Sequence, residues 1–234
     1  MNRLPPELFD DYSGDYETAL QKGLSLSGEN RDYFARGRIE CLAERLAEHG
    51  MRPKAVVDFG CGLGGAAPLL MEHLAPETVL GVDVSVKSLE IARSRYGSDK
   101  IVFEAVNSYS ARGNVDVFHC NGVFHHIPAP EQETAMRLIY DSLRPGGFFA
   151  FFENNPWNPG ARVVMSRIPF DRDAVMISPR QARRLAAAAG FEVIVIDYLF
   201  FFPRILRKLR FAEKHLKGVP LGAQYLVLCR KLAD

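Results

Sequence analysis

The chain has 234 residues, of which 47% are hydrophobic and 24% charged, with a formal net charge of +1. That length and apolar content suffice for a full core, while the near-zero charge excludes a global pull toward nucleic acid or an anionic surface. Cys41, Cys61, Cys120 and Cys229 are widely spaced with no CxxC pair and no His/Cys cluster, so neither a disulfide framework nor a metal site is expected. In chain order, the opening MNRLPPELFDDYSGDYE lacks the apolar core of a signal peptide, and no later run reaches transmembrane length. A cytoplasmic protein is the expectation.

Residues 28–49 place Ile39, Leu42, Ala43 and Leu46 at helical spacing, and Gly50 follows as a stop. Residues 1–50 therefore read as an N-terminal helical segment ahead of a main domain, 51–234. Strands and helices then alternate. Strands are predicted at Ala55–Gly60, Val79–Val84, Ile101–Val106, Val115–Cys120 and Gly147–Glu153. Between them lie helices at Leu63–Leu74, Val86–Tyr96 (capped by Ser85) and Glu131–Leu143, the last closed by Arg-Pro-Gly-Gly. Ser178 caps an alanine-rich helix running to Ala189, Gly190 takes its C′ position, and strands at Phe191–Phe202 and Gln224–Arg230 finish the chain. Alternating βα units imply an α/β fold, a doubly wound parallel sheet with helices on both faces. The connections 154–177 and 203–222 exceed ordinary length and are expected to cover the carboxyl edge of the sheet, where ligands bind.

The strongest motif is Val-Val-Asp-Phe-Gly-Cys-Gly-Leu-Gly-Gly at 56–65, with Asp83 ending the next apolar run. Glycines at a strand-to-helix turn let backbone N–H groups approach a ligand, and an acidic strand end can accept both hydroxyls of a ribose. A nucleotide-like cofactor follows. Gly60, Gly62 and Gly65 also satisfy the dinucleotide spacing GxGxxG, which keeps a nicotinamide-dependent oxidoreductase as the alternative reading. Against it, Asp58 lies two residues before the first glycine, where a carboxylate would crowd a pyrophosphate but suit an ammonium group. Only one nucleotide-binding half is evident.

VVDFGCGLGG (56–65), LGVDVS (80–85), VDVFHCNGVFHHI (115–127) and LRPGGFFAF (143–151) together resemble the class I S-adenosylmethionine-dependent methyltransferases, in particular small-molecule enzymes of the ubiquinone/menaquinone type. The resemblance covers roughly Lys54 to Phe152. It implies a Rossmann-like seven-stranded sheet with its last strand antiparallel, an N-terminal helical lid, and S-adenosylmethionine as cofactor. Asp58, Gly60, Cys61 and Gly62 would then form the cofactor loop, with Asp58 drawing the α-amino group. Asp83 and Val84 would meet the ribose, Asn107 and Ser108 the adenine, and Asn121 the reacting end. Arg38 is the candidate for the methionine carboxylate.

His125 and His126 lie in the loop that the family places beside the methyl donor. Two adjacent loop side chains seldom point the same way, so one is expected to face the pocket as a base and the other to pack. On the acceptor side the candidates are Tyr16 and Tyr33 from the N-terminal aromatic cluster (Tyr12, Tyr16, Tyr33, Phe34), and Glu153, Asn155 and Trp157 after the fifth strand. Asn154-Asn155-Pro156-Trp157 is not the signature of base-methylating enzymes, which belongs after the fourth strand and carries a second proline. Tyr96-x-x-x-Lys100 matches a dehydrogenase pair only formally, between the wrong strands.

Finally, Arg204–Lys217 interleaves Ile205, Leu209, Ala212 and Leu216 with basic residues. Such a stretch either packs on its own domain or rests on an anionic membrane or a lipid-linked acceptor. The expected function is methyl transfer to a small, partly hydrophobic acceptor, oxygen favoured over nitrogen or carbon, with no nucleic-acid partner. A non-catalytic S-adenosylmethionine-binding subunit is the third reading; it would keep the cofactor contacts and lose the acceptor pocket.

Overall fold

The computed structural model describes residues 23–169 and 174–233. Seven strands make one sheet: β1 (Ala55–Phe59), β2 (Thr78–Asp83), β3 (Ile101–Ala105), β4 (Val115–Asn121), β5 (Leu143–Asn154), β6 (Glu192–Leu199) and β7 (Gln224–Arg230). Their spatial order is β3-β2-β1-β4-β5-β7-β6. Strands β1 to β5 pair in parallel, whereas β7 runs antiparallel to both β5 and β6. The helices are α1 (Arg31–Glu48), α2 (Ala67–Leu74), α3 (Val86–Tyr96), α4 (Ala129–Ser142), α5 (Pro159–Arg167), α6 (Pro179–Ala188) and α7 (Glu213–Leu216). This is the expected Rossmann-like architecture.

The central strands are apolar on both faces because helices cover both. Val117 and Phe118 of β4 are fully buried, one on each side, as the two-residue period of a strand requires. Phe118, Phe149 and Phe151 pack with Met136 and Ile139 of α4 and Ala182 of α6. On the opposite face, Val56, Val117 and Leu228 pack with Ile39, Leu42 and Leu46 of α1, Leu70 of α2 and Leu89 of α3. The described part of the N-terminal segment is thus a layer of the core. Asn30 caps α1 by accepting from the Tyr33 N–H at 2.9 Å, and Ser85 caps α3 as expected. Ser178 and Gln181 form a reciprocal capping box at α6.

Several boundaries differ from the expectation, each for a local reason. Helix α2 starts at Ala67 rather than Leu63, because Gly60, Gly62 and Gly64 hold φ values of +71°, +52° and +77° and the chain cannot turn helical before them. Strand β5 begins at Leu143, which pairs with Val115 ahead of a register shift. Strand β6 ends at Leu199 instead of Phe202, since Phe200 adopts φ +62° and swings its ring against Phe34 and Tyr33. The connection 154–177 is not a plain loop: it contains α5, started by the Asn158 cap and Pro159.

One ion pair ties α1 to the far sheet edge. Asp197 on β6, with a side chain 2% exposed, receives Arg45 Nε at 2.6 Å and Nη2 at 2.7 Å in a two-pronged contact. Arg45→Ala would leave that carboxylate buried and uncompensated. It should lower stability by about 3–5 kcal/mol, seen as a reduced urea midpoint with an unchanged slope.

Candidate active site

The strand order reverses at β1, whose neighbours β2 and β4 lead to opposite halves of the sheet, and a cavity of about 460 Å³ opens there beyond the carboxyl ends. Its floor is the glycine loop after β1. That loop is stapled to β2: the N–H groups of Gly60 and Cys61 donate to Val82 O at 2.7 and 3.1 Å, and Gly62 N donates to Asp83 Oδ2 at 2.8 Å. A Cβ on Gly60 would come within 2.2 Å of Val123, so only glycine allows this approach to the turn after β4. Gly62 meets nothing within 4 Å and borders the cavity.

Asp83 lies half-buried on the cavity wall, and its other oxygen accepts from Ser85 N at 2.9 Å. Burial pushes its carboxyl above the usual aspartate range, against the opposing pull of the Ser85 and Gly62 N–H groups. Val84 also lines the cavity. Cys61 does not: its side chain is buried in the core and its thiol is driven upward by burial, so it serves through its backbone. Asn107 and Ser108 are likewise exposed, not on the wall, because the turn after β3 (Ser108 N to Ala105 O, 2.9 Å) carries them outward. Val106 occupies the wall instead.

Asp58 is buried under the loop, and its Oδ1 lies 2.7 Å from Nδ1 of His119 on the adjacent strand β4. His119 occupies a core position on β4 next to the apolar Val117, Phe118 and Cys120, which hid this partner. Two acceptor oxygens near the loop, Asp58 Oδ2 and Asn121 Oδ1, are buried without a donor among the described residues. Arg38 reaches the cavity from α1 and donates to Gln224 Oε1 at 2.9 Å, while Gln224 Nε2 donates to Asn154 Oδ1 at 2.9 Å. Arg31, one turn and more before it, also lines the cavity. A Cβ on Gly65 would meet its Nη2 at 2.3 Å, so the second glycine of that pair admits the guanidinium.

Both histidines line the cavity, correcting the expectation that one would turn away. Phe124–His126 is a 3₁₀ turn, and at three residues per turn it sends Phe124 into the core while leaving its two neighbours on the other sides. The His125 and His126 rings are 4.1 Å apart between centroids. Behind His125 stands Glu153, fully buried at the end of β5: its Oε2 lies 2.6 Å from His125 Nδ1, and its Oε1 accepts from Phe124 N at 3.0 Å. Glu153 is therefore buried behind the cavity wall, where it positions the His125 imidazole instead of offering an acceptor contact.

The remaining acceptor-side candidates are structural. Asn155 is fully buried, its amide donating to Pro220 O and Gly222 O, so it locks β5 to the connection before β7. Trp157 is half exposed, with the Arg180 guanidinium 6.0 Å from its ring, and is not on the cavity wall. Tyr33 packs beneath Arg210, whose guanidinium sits 4.5 Å over the ring; its helical neighbour Phe34 takes the wall position. Tyr16 lies outside the described residues. The rest of the acceptor side comes from Met165 and Ile168 at the end of α5 and from Val123 and Ile127, apolar residues with no motif to announce them.

Residues 57–151 match the family model for a methyltransferase domain. A ubiquinone biosynthesis O-methyltransferase from Thiobacillus denitrificans is 34% identical over 169 residues, covering 64% of this chain and 69% of that protein. A trans-aconitate 2-methyltransferase from Rhodopseudomonas palustris is 27% identical over 121 residues, 52% of this chain and 46% of that one. The chain spans about half to two thirds of the length of the curated relatives it matches first. Among solved structures, a methyltransferase from Thermotoga maritima superimposes with a TM-score of 0.64 at 17% identity, over 96% of this chain and 99% of that one. At that identity the likeness speaks to the fold alone. The chain belongs to the class I S-adenosylmethionine-dependent methyltransferases.

The residues present fit that cofactor. Asn121, on the cavity wall, has an acceptor Oδ1 lacking a donor among the described residues, which suits an ammonium group; Asp58 Oδ2 is a second such acceptor, buried beneath the glycine loop and off the wall. Asp83, open to the cavity, retains lone pairs for a ribose diol, and the volume suits a ligand of that size. Because hydroxyl donors favour the ionised carboxylate, cofactor affinity should fall as pH drops through the raised Asp83 pKa, beginning above the range of an ordinary aspartate. Asp83→Ala should weaken S-adenosylmethionine binding about 10- to 100-fold and remove this acid dependence. Calorimetric titration across pH checks both; unchanged affinity would overturn the ribose assignment.

Proposed function

We propose that the protein transfers a methyl group from S-adenosylmethionine to a hydroxyl of a small, partly hydrophobic acceptor, with His125 as general base. The observation that carries this reading is that His125, on the cavity wall beside the glycine loop, is backed by the buried Glu153. Glu153 Oε1 accepts from Phe124 N–H, and Oε2 lies 2.6 Å from His125 Nδ1. In this reading Nδ1 carries the imidazole proton toward Glu153, and Nε2 is the nitrogen that acts as base. A base is useful when the acceptor is a hydroxyl that must lose its proton; a carboxylate acceptor needs none.

S-adenosylmethionine supplies, when bound, a methyl group already activated on a sulfonium. The chain's contribution is to hold the two partners in line, exclude water and receive one proton. Phe34, Val123, Ile127 and Met165 make the space beside the histidines apolar, which favours an acceptor with a hydrophobic body and dries the site. The relative named as a ubiquinone biosynthesis O-methyltransferase supports oxygen as the target atom.

His125→Ala should lower kcat with hydroxyl acceptors by roughly 10²–10⁴ while leaving cofactor affinity near that of the parent protein. Glu153→Gln should lower kcat less and move the acidic limb of the pH–rate profile to lower pH, because it removes the carboxylate that favours the protonated imidazole but keeps the ring. Steady-state kinetics over a panel of phenols, alcohols and amines, with calorimetry for the cofactor, decides the matter. Near-parental rates for both variants would reduce the site to positioning alone.

A further inference from the structure

In the 203–221 connection between β6 and β7 most side chains are exposed. None of the residues from Arg204 to Ala212, a 3₁₀ stretch, is buried. Ile205 is 88% exposed, Phe211 74% and Leu221 61%, and Leu206, Leu209 and Val219 are also exposed. These are six of the thirteen exposed large hydrophobics among the described residues, so they form a concentration and not the usual scatter. The expectation that this segment packs its apolar face on its own domain is not met for Ile205 or Leu209; Ala212 and Leu216 are half-buried.

Charge concentrates in the same place. The connection carries Arg204, Arg207, Lys208, Arg210, Lys214 and Lys217 against the single acid Glu213, in a chain whose formal net charge is +1. Arg210 is paired with Glu29 and Lys217 with Glu44. Arg207, Lys208 and Lys214 are exposed and make no ion pair among the described residues.

The segment is also held in place. Glu213 accepts from Phe202 N at 3.0 Å, Arg210 Nε donates to Phe202 O at 3.1 Å, and Tyr198 N donates to Lys217 O at 2.7 Å. Its last residues sit against the cavity rim: the Asn155 amide donates to Gly222 O and Asn158 Nδ2 to Leu221 O, and the flanking Asn154 and Gln224 line the cavity.

We propose that this face docks on an anionic phospholipid bilayer, with Ile205, Phe211 and Leu221 entering the acyl boundary and Arg207, Lys208 and Lys214 meeting lipid phosphates. Projecting aliphatic tips among unpaired cations suit a fluid apolar surface with negative headgroups. A nucleic acid would be met by stacking aromatics, of which the connection displays only Phe211. The docking is peripheral, since no helix among the described residues is long and apolar enough to cross a membrane. It stands independently of the methyl acceptor.

Co-sedimentation of the full chain with vesicles of phosphatidylcholine, alone or mixed with phosphatidylglycerol, tests the proposal. The mixed vesicles should retain the protein about tenfold or more over the neutral ones, and salt should reduce the difference. Ile205→Asp combined with Phe211→Asp should abolish retention, and Arg207→Glu combined with Lys208→Glu should abolish the preference for anionic lipid. Both pairs are exposed, so thermal midpoint and S-adenosylmethionine affinity should stay unchanged. The proposal is overturned if the parent chain stays in the supernatant with both vesicles, or if the variants bind as it does. A concentration-dependent dimer lost in the Ile205/Phe211 variant, or retention on duplex RNA but not on vesicles, would equally overturn it and assign the face to that partner.

Discussion

The hydrogen bond from Gly62 N to Asp83 is the constraint on which the site depends. With Gly60 and Cys61 donating to Val82, it fastens the glycine loop across the gap between β1 and β2. A loop of three left-handed glycines has much conformational freedom to lose. Those bonds hold the loop's backbone against the end of β2, where Gly60 and Gly62 border the cavity. The same Asp83 that braces the loop also borders the cavity. Its raised pKa is the cost of placing it there.

Two further carboxylates are handled in the opposite manner, sunk below the cavity and each matched to a histidine on a neighbouring element. Asp58 meets His119 across adjacent strands, and Glu153 at the end of β5 meets His125 in the turn after β4. Buried carboxylates are tolerated only when hydrogen-bonded, and both obtain that here while fixing an imidazole. Their surroundings differ. His119 is enclosed among strands beside Asp58, whereas His125 borders the cavity.

The two long connections link the rim of the cavity to the outer surface. Asn155 and Asn158 clamp the start of one connection to the end of the other, and Arg210 pins the second to Tyr33 and Glu29 near the start of α1. The 203–221 connection is thus bonded to elements whose neighbours, Arg31, Phe34 and Asn154, line the cavity. The cofactor half of the site, by contrast, hangs on the rigid central strands.

The sheet, its order of elements and the placing of the glycine loop and Asp83 at one cavity were legible in the residues themselves, whereas Asn107 and Ser108 turn outward. Period-two and period-3.6 apolar patterns are local, and the glycine loop with Asp83 has to be local too, since a strand must run directly into the turn that approaches the ligand. Helix α5 was announced by Asn158-Pro159, a cap followed by a first-turn proline, though the connection reads as a loop without it. What tertiary structure alone decided were the pairings between distant residues. Glu153 and His125 are 28 positions apart and Asp58 and His119 are 61 apart, so no spacing rule joins them. Polar residues after β5 look like acceptor contacts until the register of β5 on β4 and β7 turns Glu153 toward a histidine and Asn155 toward a backbone. The acceptor pocket was equally hidden, because Val123, Ile127, Met165 and Ile168 differ in no way from core residues until packing leaves a space between them.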